Sequence, residues 1–430
     1  MTWIDSRGFR LGFSALALFT GLAGDFLRDL LTWWGFGVIA VAVVVGAVLL
    51  LVRSRGSWHL VDLPIPLLVF LGVATLSIAW SYYPLASLLG ATVQWATTAG
   101  AVAVALTLDW RELLRVLGWA LRAVLGLSYL FELIVSAFIR HPIYPVWVTP
   151  DDPAHPAKLL YWSRNLLFDG GKIQGVVGNS SLLAMLALIA AIVFAIQLAM
   201  RSVGRVAGWV WLVVALATIG ITRSATVIVG LAVVAIVAAA VLIIRRVERR
   251  RPLAYGVLAV VVAAIVAVGI VFRGPLLGAL GKSSTFTGRA DIWEKVIGLA
   301  EQRPAAGWGW ISYWAPWVAP YDHLVVKGGV QVMHAHNAWL DIWVQLGVIG
   351  LVIVGVLVLL TLIRSWLLAV DGIAVPPARP TALAMLPLLV LVAQLVQSVA
   401  ESRMLVEGGW MLLVIWAVKA KAPHSEVERT

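Results

Sequence analysis

Residues 225–244 read ATVIVGLAVVAIVAAAVLII, with Arg223 just before them and Arg245 and Arg246 just after. The run carries no charge, and at about 20 residues it matches the roughly 30 Å hydrocarbon core of a bilayer. Lipid offers no hydrogen-bond partner to backbone N–H and C=O groups, so such a run must be a helix. Runs of the same kind recur at 11–24, 33–52, 63–81, 85–107, 113–139, 180–200, 206–222, 253–272, 336–363, 381–399 and 405–419. The expectation is an all-α polytopic membrane protein of about twelve spans, a single membrane domain over 1–430. The composition agrees: 62% of residues are hydrophobic and 12% charged, and mean hydropathy is +0.97. A soluble core could not hide so much apolar surface, and a β-barrel would show short alternating segments instead.

The formal net charge of +11 would suggest nucleic acid in a soluble protein. Here it reads as basic residues holding cytoplasmic loops against anionic lipid, with no nucleic-acid partner. With the N-terminus inside, the inner segments hold Arg7/Arg10, Arg53/Arg55, Arg111/Arg115, Arg201/Arg205, Arg245 to Arg251, Arg364/Arg379 and Lys419/Lys421. Both termini are then cytoplasmic. The short outer turns are nearly free of cations apart from Arg28, Arg223 and Arg403. There are no cysteines, which excludes disulfides, thiol catalysis and Cys-based metal sites. The apolar run after Met1–Arg10 has no clear small-residue cleavage site and reads as a span that stays.

Two outer loops are long, and long loops in compact proteins are usually functional. The first, 140–179, holds a Pro-rich aromatic stretch, then Lys158, Arg164, Asp169, Lys172 and Asn179. The second, 273–335, contains an amphipathic stripe at Ile292, Trp293, Val296, Ile297, Leu299 and Ala300, with Thr287 as its expected cap and Pro304 and Gly307 ending it. It is expected to lie along the outer membrane surface as a roof. Trp308, Trp310, Trp314 and Trp317 then read either as a headgroup-level belt or as a platform for sugar rings.

Three sites carry candidate chemistry. Arg223, at the outer junction of two spans, either snorkels or holds an anion, for which a guanidinium fork suits phosphate. Arg289 falls in the first turn of the surface helix, where the helix dipole disfavours a cation; this points to an anion nearby, either Asp291 or a ligand. His334-Ala-His336-Asn337 opens the tenth span. These histidines read as a helix-start structural element or as a general base at His336. A metal is disfavoured, because no carboxylate or third His has ligand spacing. Glu401 lies two residues from Arg403, a spacing that suits a local ion pair, and Glu401 could also compete with His336 as base.

His336-Asn337, nine residues, then Gly347-Val-Ile-Gly350 resembles the signature of the O-antigen ligase and polymerase superfamily. Thr222-Arg223-Ser224 is similar to that family's Thr/Ser-Arg-Ser/Gly element. Thr287-Gly288-Arg289 with Trp293, Pro304 and Gly307-Trp308-Gly309 resembles its Gly-Arg…Trp…Pro…Gly-x-Gly stretch, and Gly178-Asn179 its Asn-Leu element, from which Ser180-Ser181 departs. The likeness covers roughly residues 170–360. It implies a membrane glycosyltransferase (GT-C-like) fold in a bacterial cytoplasmic membrane, with the active site on the extracytoplasmic face. It further implies a polyprenyl-diphosphate-linked glycan donor, a glycan or glycolipid acceptor, inversion at the anomeric carbon, and no metal or cofactor. On that reading His336, Arg289 and Arg223 are catalytic, and Lys172, Asn179, Arg403, Glu401 and Arg164 bind substrate. A ligase and a polymerase differ only in acceptor, and no residue separates them. A lipid-linked glycan transporter is the competing class; it predicts mid-membrane charge and interrupted helices, whereas here only Arg122 and Glu132 stand near span centres. A non-catalytic envelope scaffold is the third.

Overall fold

The computed structural model describes residues 6–149, 157–247, 250–258, 289–327, 330–372 and 381–421. The named helices, numbered in chain order, are α1 (Arg7–Leu22), α2 (Gly24–Arg53), α3 (Ile65–Leu76), α4 (Pro84–Thr107), α5 (Trp110–Ile134), α6 (Ser180–Ala199), α7 (Arg205–Thr222), α8 (Ala225–Arg246), α9 (Ala290–Ala300), α10 (Ala338–Asp371), α11 (Leu386–Ser398) and α12 (Glu407–Lys421). Among the described residues the named strands are a short antiparallel pair, β1 (Val326–Lys327) and β2 (Val330–Gln331). Every expected span except 253–272 meets one of these helices; most of 253–272, and the expected cap Thr287, lie outside the described residues. Among the described residues seven helices are long and apolar enough to cross a membrane, namely α2, α4, α5 with its extension to Ile139, α6, α7, α8 and α10.

Burial sorts these helices. α6 is apolar all round and sits at the centre, buried from Leu183 through Phe194. α2 and α7 instead present Val38, Val41, Val45, Val206, Val210 and Val213 outward. Such bare apolar faces suit lipid rather than water. Local caps start several helices. Ser6 caps α1, Asp109 and Glu112 form a capping box on α5, and Asn179 and Asn337 cap α6 and α10.

The structure corrects the sequence reading at three places. First, α2 begins directly after Ala23 and runs to Arg53 with a kink at Thr32 (φ 65°). Arg28 therefore lies on a helix and is buried, not in a short outer turn. Second, Trp308, Trp310 and Trp314 are buried, and only Trp317 of the four is exposed. Trp310 meets Phe70 edge-on at 5.3 Å, and Trp314 stacks on Tyr321 at 5.1 Å. These three rings are core, not a headgroup belt.

Third, the described segment after α9, which the sequence reading places in an outer loop, enters the bundle. α10 is interrupted at Gly347 (φ 65°), about 15 Å below its N-terminus at 1.5 Å per residue. The loop backbone takes the groups this break frees. Trp308 N–H donates to Val344 O (3.0 Å) and Gly309 N–H to Gln345 O (2.9 Å), while Val348 N–H donates to Pro304 O (2.9 Å). The Gln345 side chain accepts from the N–H groups of Ile311 and Ser312. Irregular backbone is tolerated at such depth only when protein satisfies it. The glycines permit the approach: a Cβ on Gly347 would lie 2.1 Å from Ala305 O, and one on Gly307 would lie 2.4 Å from the Gln345 carbonyl carbon. Gly347→Ala combines that clash with a strained φ and is expected to cost about 3 kcal/mol. Thermal unfolding in detergent checks this; an unchanged Tm would mean the loop is not seated there.

Candidate functional site

α10 starts at Asn337, whose side chain accepts from Trp339 N–H (3.0 Å) and Leu340 N–H (3.2 Å). The helix cannot continue upstream of this cap, so His336 turns out of it with left-handed backbone, φ 50°. The His336 N–H donates to His334 Nδ1 (3.1 Å), and the two rings lie 4.1 Å apart. The His336 ring in turn places Nδ1 2.9 Å from Glu401 Oε2. An ionised carboxylate only accepts hydrogen bonds, so in the neutral imidazole Nδ1 is the nitrogen that carries the proton and Nε2 the one with a free lone pair. Glu401 Oε1 accepts from Arg289 Nη2 at 2.7 Å. Trp293, one turn on from Arg289, donates its indole N–H to Ala335 O (3.1 Å) and fastens α9 to the histidine segment. The His336 side chain is 29% exposed, against 18% for Arg289 and 15% for Glu401, so the histidine is the member a substrate can reach.

Burial alone would raise the Glu401 carboxyl. The hydrogen bond and charge of His336, with Arg289 beyond, bring it instead down to about 2. Burial and the neighbouring His336 push His334 down to about 3, which keeps it neutral and an acceptor. Both shifts have the same consequence. The unfolded chain takes up a proton on His334 below its usual 6.5 and on Glu401 below its usual 4.5, while the folded chain does not. The unfolded state then binds more protons, so stability is full above 6.5 and falls as pH drops toward 3. Tm measured from pH 7 to pH 4 should decline, and His334→Gln should flatten the upper part of that decline. A Tm independent of pH in this window would contradict the assignment.

The local ion pair expected between Glu401 and Arg403 does not form, and Asp291 is not the partner of Arg289; Glu401 takes that place. Arg403 points to Asp25 (2.7 Å) and Glu407 (2.8 Å). Arg28 binds the same two carboxylates, Glu407 at 2.6 Å and Asp25. Two guanidiniums and two carboxylates thus close a ring that ties the chain after Glu401 to the start of α2. The guanidinium named as a substrate contact is engaged within the protein.

The other expected site residues make no hydrogen bond or ion pair with this cluster among the described residues. Arg223 ends α7 in left-handed conformation (φ 48°), exposed and without an ion pair among the described residues. Lys172 is exposed. Asn179 accepts from Ser181 N–H (2.8 Å) and Leu182 N–H (3.1 Å) as the cap of α6. Arg164 donates to Lys158 O at 3.0 Å, and its Nε is buried without a partner among the described residues. The described part of 140–179, which carries these three, is organised by Glu132. This buried carboxylate accepts from Gln174 N–H, Gly175 N–H and the Ser163 hydroxyl, a scaffold role the sequence does not signal.

Ligand atoms of His334, His336 and Glu401 lie within 4.8 Å of one another, the arrangement that could hold a metal. Sequence spacing missed it because the carboxylate comes from 65 residues beyond His336. His336 Nδ1 and Glu401 Oε2 share one hydrogen bond, His334 Nδ1 accepts from the His336 backbone N–H, and Arg289 holds the second carboxylate oxygen. A dication bound through His336 Nδ1 would displace the imidazole proton beside a guanidinium.

A reachable imidazole with one free nitrogen, oriented by a carboxylate and flanked by a guanidinium, is equipped to move a proton beside negative charge. Comparison with known proteins points to a family. A family model described as O-antigen ligase matches residues 210–355, a stretch containing Arg223, Arg289 and His336. The exopolysaccharide production protein ExoQ of Rhizobium meliloti (strain 1021) is 33% identical over 95 residues, which are 21% of this chain and 22% of that protein. The chain thus spans only 22% of that relative's length. Both matches support the O-antigen ligase and polymerase superfamily of membrane proteins.

Proposed function

We propose that the protein is a membrane glycosyltransferase of the O-antigen ligase kind. It moves a glycan from a polyprenyl diphosphate carrier to an acceptor hydroxyl at the outer leaflet, with inversion and without a metal, in a chain of about twelve spans with both termini cytoplasmic. The observation that carries this reading is the His336–Glu401 hydrogen bond, which leaves Nε2 free to accept the acceptor's proton. The acceptor oxygen attacks the anomeric carbon, and the bond to the diphosphate breaks with its electron pair leaving on phosphate oxygen. Arg289 and Arg223 supply positive charge to that leaving group.

The polymerase alternative, in which the acceptor is a second lipid-linked repeat, is favoured by one observation, the likeness to an exopolysaccharide production protein. A transporter draws support from the broken helix α10. The freed backbone groups there are filled by the loop, however, and do not line an open passage. The test offers purified protein a lipid-linked glycan with either a glycolipid acceptor or a second donor, and reads product configuration by NMR, with and without chelator. Inverted product at an undiminished rate supports the proposal. Retained configuration, or loss of activity to chelator, contradicts it.

A further inference from the structure

Asp341 lies four residues past Asn337 on α10 and is 1% exposed. Its Oδ2 accepts the Ala335 N–H at 3.0 Å and also the Ser402 hydroxyl. Ala335 stands between His334 and His336, and Ser402 follows Glu401. One carboxylate oxygen therefore fastens together the two chain segments that carry the imidazole and its carboxylate partner. The other oxygen, Oδ1, is buried and makes no well-formed hydrogen bond among the described residues, the Trp314 indole N–H being the remaining donor near this carboxylate. Burying a carboxylate with one oxygen so poorly satisfied is costly, and what the cost secures is the joining of these two segments. Buried polar groups are best attested as devices that fix register, and the register fixed here is that of His336 against Glu401.

We propose that Asp341, acting through Ser402 and the Ala335 amide, is a positioning residue for the His336–Glu401 pair. It touches no substrate. It holds Glu401 where the carboxylate receives Nδ1–H, so that Nε2 is aimed at the acceptor. The kinetic half of this proposal rests on the transfer reading above; the geometric half does not.

The natural absence of cysteine allows a test with two independent readouts. The first is bridging of a His336→Cys/Glu401→Cys pair by a short bis-methanethiosulfonate in membranes. Adding Ser402→Ala or Asp341→Leu should lower the bridged fraction about fivefold, since small displacements matter at such range. The second is kinetics. Ser402→Ala should lower kcat about tenfold with donor KM unchanged, Ser402→Thr should restore it, and in a Glu401→Gln background Ser402→Ala should cost nothing further. Ser402→Ala keeps the question open to refutation if Asp341→Leu fails to fold. Bridging and kcat that both ignore Ser402→Ala would overturn the positioning role. Bridging that responds in a protein without transfer activity would support the positioning role and overturn the transferase reading.

Discussion

Replacing His336 by alanine is expected to lower kcat for glycan transfer about a thousandfold, with donor KM little changed. The expectation follows from the geometry. His336 is the most exposed member of the cluster, and its Nδ1 proton is committed to Glu401. Its remaining nitrogen is thus a base held in one tautomer. Truncation removes the base and leaves Asn337, which caps α10 independently, in place, so the fold should survive. Initial rates of carrier release, measured beside the unfolding temperature, check this. A variant that folds normally and keeps a tenth of the rate would show that the proton goes elsewhere.

Glu401→Gln is expected to lower kcat about a hundredfold, for two reasons that act together. The neutral amide presents an N–H where a carboxylate oxygen now accepts, so the tautomer of His336 is no longer fixed. Arg289 also loses its charged partner and is free to bind the donor diphosphate without releasing a carboxylate. Donor KM should therefore fall or hold while kcat drops. That split separates loss of orientation from loss of binding. A rise in donor KM with kcat unchanged would instead make Glu401 a substrate contact.

The sequence showed the helices because apolar runs report removal from water directly, whether into lipid or into protein, and runs such as 180–200 and 225–244 needed no tertiary information. It singled out His336, Arg289 and Arg223 because each is a polar residue in a place where charge is costly. Pairing was not legible. Glu401 stands 65 residues from His336 and 112 from Arg289, and its closest cation in sequence, Arg403, turns instead to Asp25, 378 residues away. Local charge spacing therefore suggested a pair that three-dimensional packing does not form. The buried tryptophans were misread for a related reason. A loop rich in Trp and Gly looks interfacial by composition, and only the break at Gly347 reveals that its backbone enters the bundle. Asp341 gave no signal, since one acid at a helix start is ordinary dipole chemistry. Its meaning comes from what Ala335 and Ser402 each adjoin.

We read the cluster of His336, Glu401 and Arg289 as the group that breaks the bond between glycan and carrier. Nanodiscs enclose no compartment, so release of the carrier from them cannot be transport. Purified protein in nanodiscs, supplied with polyprenyl-diphosphate glycan and acceptor, should release one polyprenyl diphosphate for each glycan transferred, only when acceptor is present, and not at all with His336→Ala. Intact donor in the presence of every acceptor, or equal release by the His336→Ala protein, would contradict it.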